Sequence, residues 1–164
     1  MKGHMDKLYF QDEMVHNNCF GCGPSNERGL RIKSYWDKDG SEAVCIWRPE
    51  PYHLAGPEHV LNGGIIATII DCHSICTAIA HAYAGEGRAI STKPVIWCVT
   101  ASLRVSYMKP TPIGSPVELR ARVIEESGKK SVVECSLSSL GVERAAAEVL
   151  AIRVPAESWY DAHG

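Results

Sequence analysis

The chain has 164 residues, 45% of them hydrophobic and 22% charged, with a formal net charge of −2. Those totals describe one globular domain with its own core rather than a disordered tail or a fibrous repeat. The near-neutral balance excludes the global positive field that a general nucleic-acid binder depends on, so no nucleic-acid partner is expected.

The N-terminal stretch MKGHMDKLYFQDEMVHNN lacks the long apolar core of a signal peptide, and a cytoplasmic location is the expectation. Residues 5–16 read as a short helix or an ordered arm. Residues 17–29, NNCFGCGPSNERG, are dense in Asn, Gly, Pro and Ser and read as a structured loop. His16 and Cys19-x-x-Cys22 invite a zinc or redox reading, but zinc wants four ligands and no second CxxC follows. A compact turn is the reading taken, and no metal is expected. The other five cysteines (Cys45, Cys72, Cys76, Cys98 and Cys135) fall at apolar positions of predicted helices or strands. An odd total of seven, without an export signal, favours buried reduced thiols over disulfides.

LRIKSYWD (30–37) and SEAVCIWR (41–48) flank KDG, which is a hairpin signal. A loop rich in Pro, His and Gly follows at 49–59, where His53 and His59 are positioned to line a pocket mouth. Asn62 then caps a helix running to about Tyr83, closed by GEGR. Its apolar residues occupy almost every angular position, as in a helix wrapped by the rest of its domain. Asp71 and His73 interrupt the run Ile65–Ala82 and make it a poor membrane span, so no membrane partner is expected.

After the helix the pattern alternates with period two. Val95, Trp97, Val99, Ala101, Leu103, Val105 and Tyr107 share one face of a strand; Cys98, Thr100, Ser102, Arg104 and Ser106 share the other. Further strands are predicted at 117–126, 131–140 and 142–154. A hairpin, one long buried helix and four consecutive antiparallel strands predict an α+β fold with the sheet curved around the helix.

Two features of the helix carry chemistry. Asn62-Gly63-Gly64 places unpaired N–H groups at its positive end, where they can hold an oxyanion; a tight loop-to-helix turn explains the same residues. Asp71 lies seven residues beyond Gly64, almost two turns on, and so on nearly the same face. A mid-helix carboxylate in apolar surroundings is either a general base or nucleophile, or is satisfied by a neighbouring hydroxyl or backbone group. His73 and His81 read as satisfied or partly exposed histidines. Arg104, Lys109, Arg120 and Arg122 are placed to meet phosphates or to solvate strand faces. Trp47, Trp97, Tyr52 and Tyr107 read as core or as an aromatic pocket. No G-x-S-x-G elbow, P-loop or dinucleotide fingerprint is present.

Three segments, CFGCGPSNERGL, GPEHVLNGGIIATIID and TASLRVSYMKPTPIG, resemble the hotdog-fold acyl-CoA thioesterases, specifically their phenylacetate-pathway and Them-type branch. The likeness runs over about residues 17–154. It implies a single hotdog domain over 1–164, with an arm and cysteine loop at 1–29 and a core at 30–154. It further implies a homodimer or tetramer with active sites between subunits, the helix from one and the strand carrying Thr100 from another. By the resemblance Asp71 is the base or nucleophile, and Gly63, with Asn62 or Gly64, holds the thioester oxygen. Thr100 positions the water or nucleophile, while His59, Arg104 and Lys109 are substrate-binding candidates. The substrate is an acyl-CoA, coenzyme A is its carrier, and no separate cofactor is implied. Asn62 stands where the family usually has His, which keeps a non-catalytic acyl-CoA binding or sensing protein as the alternative; a hotdog hydratase ranks below both. The segment 85–98 looks long for the family and is a candidate lid or acyl-pocket wall.

Overall fold

The computed structural model describes residues 7–161; the first six residues of the expected arm and residues 162–164 lie outside it. The arm contributes a short 3-10 helix, Phe10–Glu13, whose Phe10 is buried. The hairpin forms as β1 (Ser34–Trp36) and β2 (Ala43–Trp47), with Tyr35 opposite Val44. The central helix, α1, spans Gly63–Gly85. Then come β3 (Ile96–Tyr107), β4 (Val117–Ser127), β5 (Lys130–Ser139), β6 (Val142–Pro155) and a short α2 (Ala156–Asp161).

All the expected elements are present, and together they make the α+β hotdog fold: one antiparallel sheet curved around one long helix. The strand order, β1-β2-β4-β5-β6-β3, departs from chain order. The four later strands are not a sequential meander. β4 crosses back to pair with β2, and β3 becomes the far edge beside β6. Local turn chemistry sets the two tight hairpins on either side of β5. At the second, Leu140 and Gly141 both take positive φ, 54° and 72°, as a two-residue type I′ connection requires.

The helix lies against the concave face of the sheet. Ile66, Ile69, Ile70, Ile79 and Tyr83 bury against Leu119, Val133, Leu137 and Val149. Each aliphatic chain so removed from water contributes about 2 kcal/mol. By length and composition α1 is apolar enough to cross a membrane; here the curved sheet encloses it, as the all-round apolar pattern predicts.

Three bulges interrupt the ladders: in β3 at Thr100/Ser102, in β4 at Val123/Glu125, and between β5 and β6 at Leu137/Ser138. An extra residue on one strand bends it and steepens the local twist. In β3 the bulge also corrects the face assignment read from period two. Ile96 and Cys98 are buried and Thr100 reaches α1, yet Tyr107, of opposite parity, also reaches α1. Ala101 is the unpaired extra residue, and it moves the helix-facing set from even to odd positions.

Candidate active site

At the start of α1, the Asn62 side chain accepts hydrogen bonds from Gly64 N–H (2.8 Å) and Ile65 N–H (3.2 Å). Its own N–H donates to the His53 carbonyl at 3.0 Å. This bears on the expected oxyanion donors, Gly63 with Asn62 or Gly64. The Asn62 N–H is taken by the His53 carbonyl and the Gly64 N–H by the Asn62 cap; of the three, the Gly63 N–H is the one with no partner among the described residues. Tyr107 frames that point: its hydroxyl donates to the Gly63 carbonyl at 2.7 Å, and a Cβ on Gly63 would lie 3.5 Å from its ring.

Asp71 is half-buried, and its Oδ1 accepts a hydrogen bond from the Thr100 hydroxyl at 2.6 Å. Burial pushes the carboxyl above the usual carboxylate range, and the Thr100 bond partly offsets this. The pair forms inside one chain, so Thr100 need not come from another subunit to reach Asp71. Sharing a helix face does not bring Asp71 to the helix start. Eight residues separate Gly63 from Asp71, about 12 Å of axial rise. One carbonyl carbon cannot be held by the first and attacked through the second on a single chain.

The remaining candidates are dispersed. Arg104 is on the outer face of the sheet, 3.7 Å from Glu148, within a groove lined by Arg120, Arg122, Glu134 and Glu42. His59 and Lys109 are exposed at the same end of the molecule as Gly63, where Val60 bridges Pro112 and Ile113 N–H bonds the His59 carbonyl. His53 stacks on Trp47 with centroids 5.2 Å apart. His81 lies 3.3 Å from Glu126. His73 is fully buried between the Ser34 hydroxyl (2.8 Å) and the Ala43 carbonyl (3.1 Å), and burial pushes its pKa down to about 4. It is a satisfied core histidine.

Segment 85–98 does line a cavity. About 1140 Å³ opens between Ile79 and Tyr83 of α1, Pro94 and Trp97, Met14 of the arm and Tyr160 of α2.

The cysteine loop has partners that a search for a second CxxC does not find. The sulfurs of Cys19, Cys22 and Cys72 all lie within 4.8 Å of one another, and Cys76, outside that group, is buried one helical turn beyond Cys72. The neighbouring Cys19, Cys72 and Cys76 thiols, with a smaller contribution from the Asn17 amide, hold the Cys22 thiol far below its usual range. The available signal was Cys72-x-x-x-Cys76, two thiols one helical turn apart. Tyr107 was legible only as an aromatic; its contact with Gly63 depends on the β3 bulge.

Residues 58–146 match the family model described as the thioesterase superfamily. A thioesterase superfamily protein of Shewanella loihica PV-4 is 35% identical, with a TM-score of 0.57 over 76% of this chain and 91% of that one. A phenylacetic acid degradation-related protein of Ralstonia eutropha JMP134 shares the fold at TM-score 0.66 and 18% identity, over 88% and 99% of the two chains. Acyl-coenzyme A thioesterase THEM4 of Xenopus laevis is 31% identical over 111 residues, 68% of this chain. The chain spans less than half the length of that relative, 44%.

Proposed function

The chain belongs to the thioesterase superfamily, and from that premise we propose that it hydrolyses the thioester of an acyl- or aroyl-coenzyme A to the free acid and coenzyme A. The observation that carries this reading is the Asp71–Thr100 pair on a helix whose first N–H has no partner among the described residues. Thr100 donates to one carboxylate oxygen and fixes its orientation. The other oxygen is left to take a proton from an attacking water. As the tetrahedral intermediate forms, negative charge gathers on the former carbonyl oxygen. A Gly63 N–H at the positive end of a helix suits that charge. The intermediate then expels the coenzyme A thiolate, which takes up a proton.

The axial separation of about 12 Å supports a reading in which these two parts come from different chains. Asp71 and Thr100 of one copy act with Gly63 of a second copy. Edge strand β3 supports such an assembly. It is twelve residues long, Thr100–Arg104 are exposed, and its outer edge has no partner among the described residues. A long uncovered edge of this kind is a template for another strand. His59 and Lys109 are suited to the coenzyme A phosphates by their position beside Gly63. The cavity beyond Ile79, with its apolar walls, is suited to the acyl group.

A panel of short-chain, long-chain and aromatic coenzyme A esters tests the reading. Turnover of at least one, abolished by Asp71→Asn with binding retained, is the expected result. Tight binding without hydrolysis across the panel would instead favour the non-catalytic binding protein, and full activity in Asp71→Asn would sink the assignment of the base.

A further inference from the structure

We propose that Cys19, Cys22, Cys72 and Cys76 form a closed four-thiolate site for one zinc ion that clamps the cysteine loop onto α1. The two halves of the site come from segments 53 residues apart, each with the spacing its local structure needs. On α1, positions i and i+4 bring the side chains of Cys72 and Cys76 to one face, one turn apart. In the loop, Cys19 and Cys22 flank a tight turn closed by the Gly23 N–H bond to the Cys19 carbonyl at 2.8 Å.

The distances suit the ion. Four sulfurs at about 2.3 Å from a tetrahedral zinc are about 3.8 Å apart. The Cys19 and Cys72 sulfurs are 3.5 Å apart, and Cys22 lies within 4.8 Å of both. Cys76 lies outside that group of three, one helical turn beyond Cys72, and its side chain turns toward Cys22 to supply the fourth sulfur when the ion binds.

The surroundings are shaped for close approach. A Cβ on Gly21 would fall 2.3 Å from the Cys72 sulfur, so only glycine lets the loop come this near the helix thiol. A Cβ on Gly23 would fall 2.4 Å from the Cys19 backbone nitrogen and 2.5 Å from the Asn17 carbonyl oxygen. The Asn17 side chain is buried and holds both ends of the turn. Its Oδ1 accepts from Cys19 N–H at 2.9 Å, and its Nδ2 donates to the Cys22 sulfur at 3.5 Å. N–H donors on ligand sulfurs are the outer-shell contacts that orient a metal site. Gly23 serves the turn itself, whereas Gly21 and the Asn17 donor bear directly on the Cys72 and Cys22 sulfurs.

With all four positions supplied by protein, the ion has no open coordination site and its role is structural. Each thiol releases its proton to solvent on binding. The clamp fastens the loop to α1 at the residue next to Asp71, so it fixes the helix turn that carries the proposed base. The site itself is argued from the sulfurs alone and does not depend on the proposed activity.

The full chain, purified without chelator, is expected to contain one zinc per chain by elemental analysis. Replacing zinc with cobalt(II) should give the thiolate-to-metal charge-transfer and d–d bands of a tetrahedral thiolate site. Cys19 is exposed, and its alkylation should require prior treatment with a chelator, a readout that needs no variant to fold. Cys72→Ser and Cys76→Ser should each weaken zinc binding by more than the roughly 10- to 100-fold that loss of an outer-shell partner costs. A reduced chain that takes up no added zinc would overturn the proposal. So would a cobalt form without charge-transfer bands, iron in place of zinc, or a Cys19–Cys72 disulfide in the metal-free isolated chain. Because none of these readouts involves hydrolysis, failure of the zinc site and failure of the thioesterase reading are separable.

Discussion

Asp71 and Asn62 show what a single letter can and cannot reveal. A carboxylate inside an apolar helix is conspicuous because burying it unpaired is costly. That made Asp71 a candidate before any fold was known; Thr100 is the partner that answers the cost. Removing the hydroxyl with Thr100→Val should cut turnover about 10- to 100-fold, the worth of a hydrogen bond to a charged group. Asp71→Asn should abolish turnover while the chromatographic and circular-dichroism signatures of the fold persist. Asn62 stands where the family usually has His, which kept a non-catalytic reading open. In the structure it is a helix cap, and Asn62→Ala should lower unfolding free energy by about 1 kcal/mol in a denaturant titration, with Asn62→Asp retaining most of it.

Between elements, the stability of α1 depends on two attachments. One is the polar network in which Gln11 holds Ser34, Ser34 meets His73 Nδ1, and His73 Nε2 meets the Ala43 carbonyl. It ties the arm and hairpin to the helix, and no charged group enters it. The folded pKa of His73, about 4, lies below the ordinary 6.5, so the folded state favours the neutral ring. Stability from this group is present above about pH 6.5 and is lost as pH falls toward 4, by about 3 kcal/mol in all. Unfolding titrations across that range should show the loss, and His73→Gln should flatten it. The second attachment is the cysteine loop. Gly21→Ala puts a methyl 2.3 Å from the Cys72 sulfur and should cost about 1–3 kcal/mol, read as a lower Tm.

For the whole molecule the decisive quantity is the 12 Å between Gly63 and Asp71. On the proposed reading the reaction takes two chains, and a complementation test addresses that directly. Gly63→Pro removes the N–H at the first helical position, where proline is well tolerated, and Asn62 already has the extended ψ of 131° that suits a following proline. Gly63→Pro and Asp71→Asn should each be inactive alone. Mixed after subunit exchange, they should regain about a quarter of wild-type activity, from one intact site in the half of dimers that are mixed. No recovery, with exchange verified by mass, would place the two groups in separate roles.

The sequence by itself determined the elements and their types. The all-round apolar helix, its cap at Asn62, the KDG hairpin and the alternating strands depend on local periodicity and turn chemistry, which act over a few residues. It also marked Asp71, because a misplaced charge is visible without a partner. Only the tertiary structure decided where β3 lies, which face of it meets the helix, and what surrounds each candidate. One bulge at Ala101 reverses side-chain parity, and period-two counting cannot see an inserted residue. The strand order depends on which edges close around α1, so Thr100 meets Asp71 and Cys19 meets Cys72 across 29 and 53 residues of chain. Such pairings are set by packing of distant segments, and no local spacing encodes them.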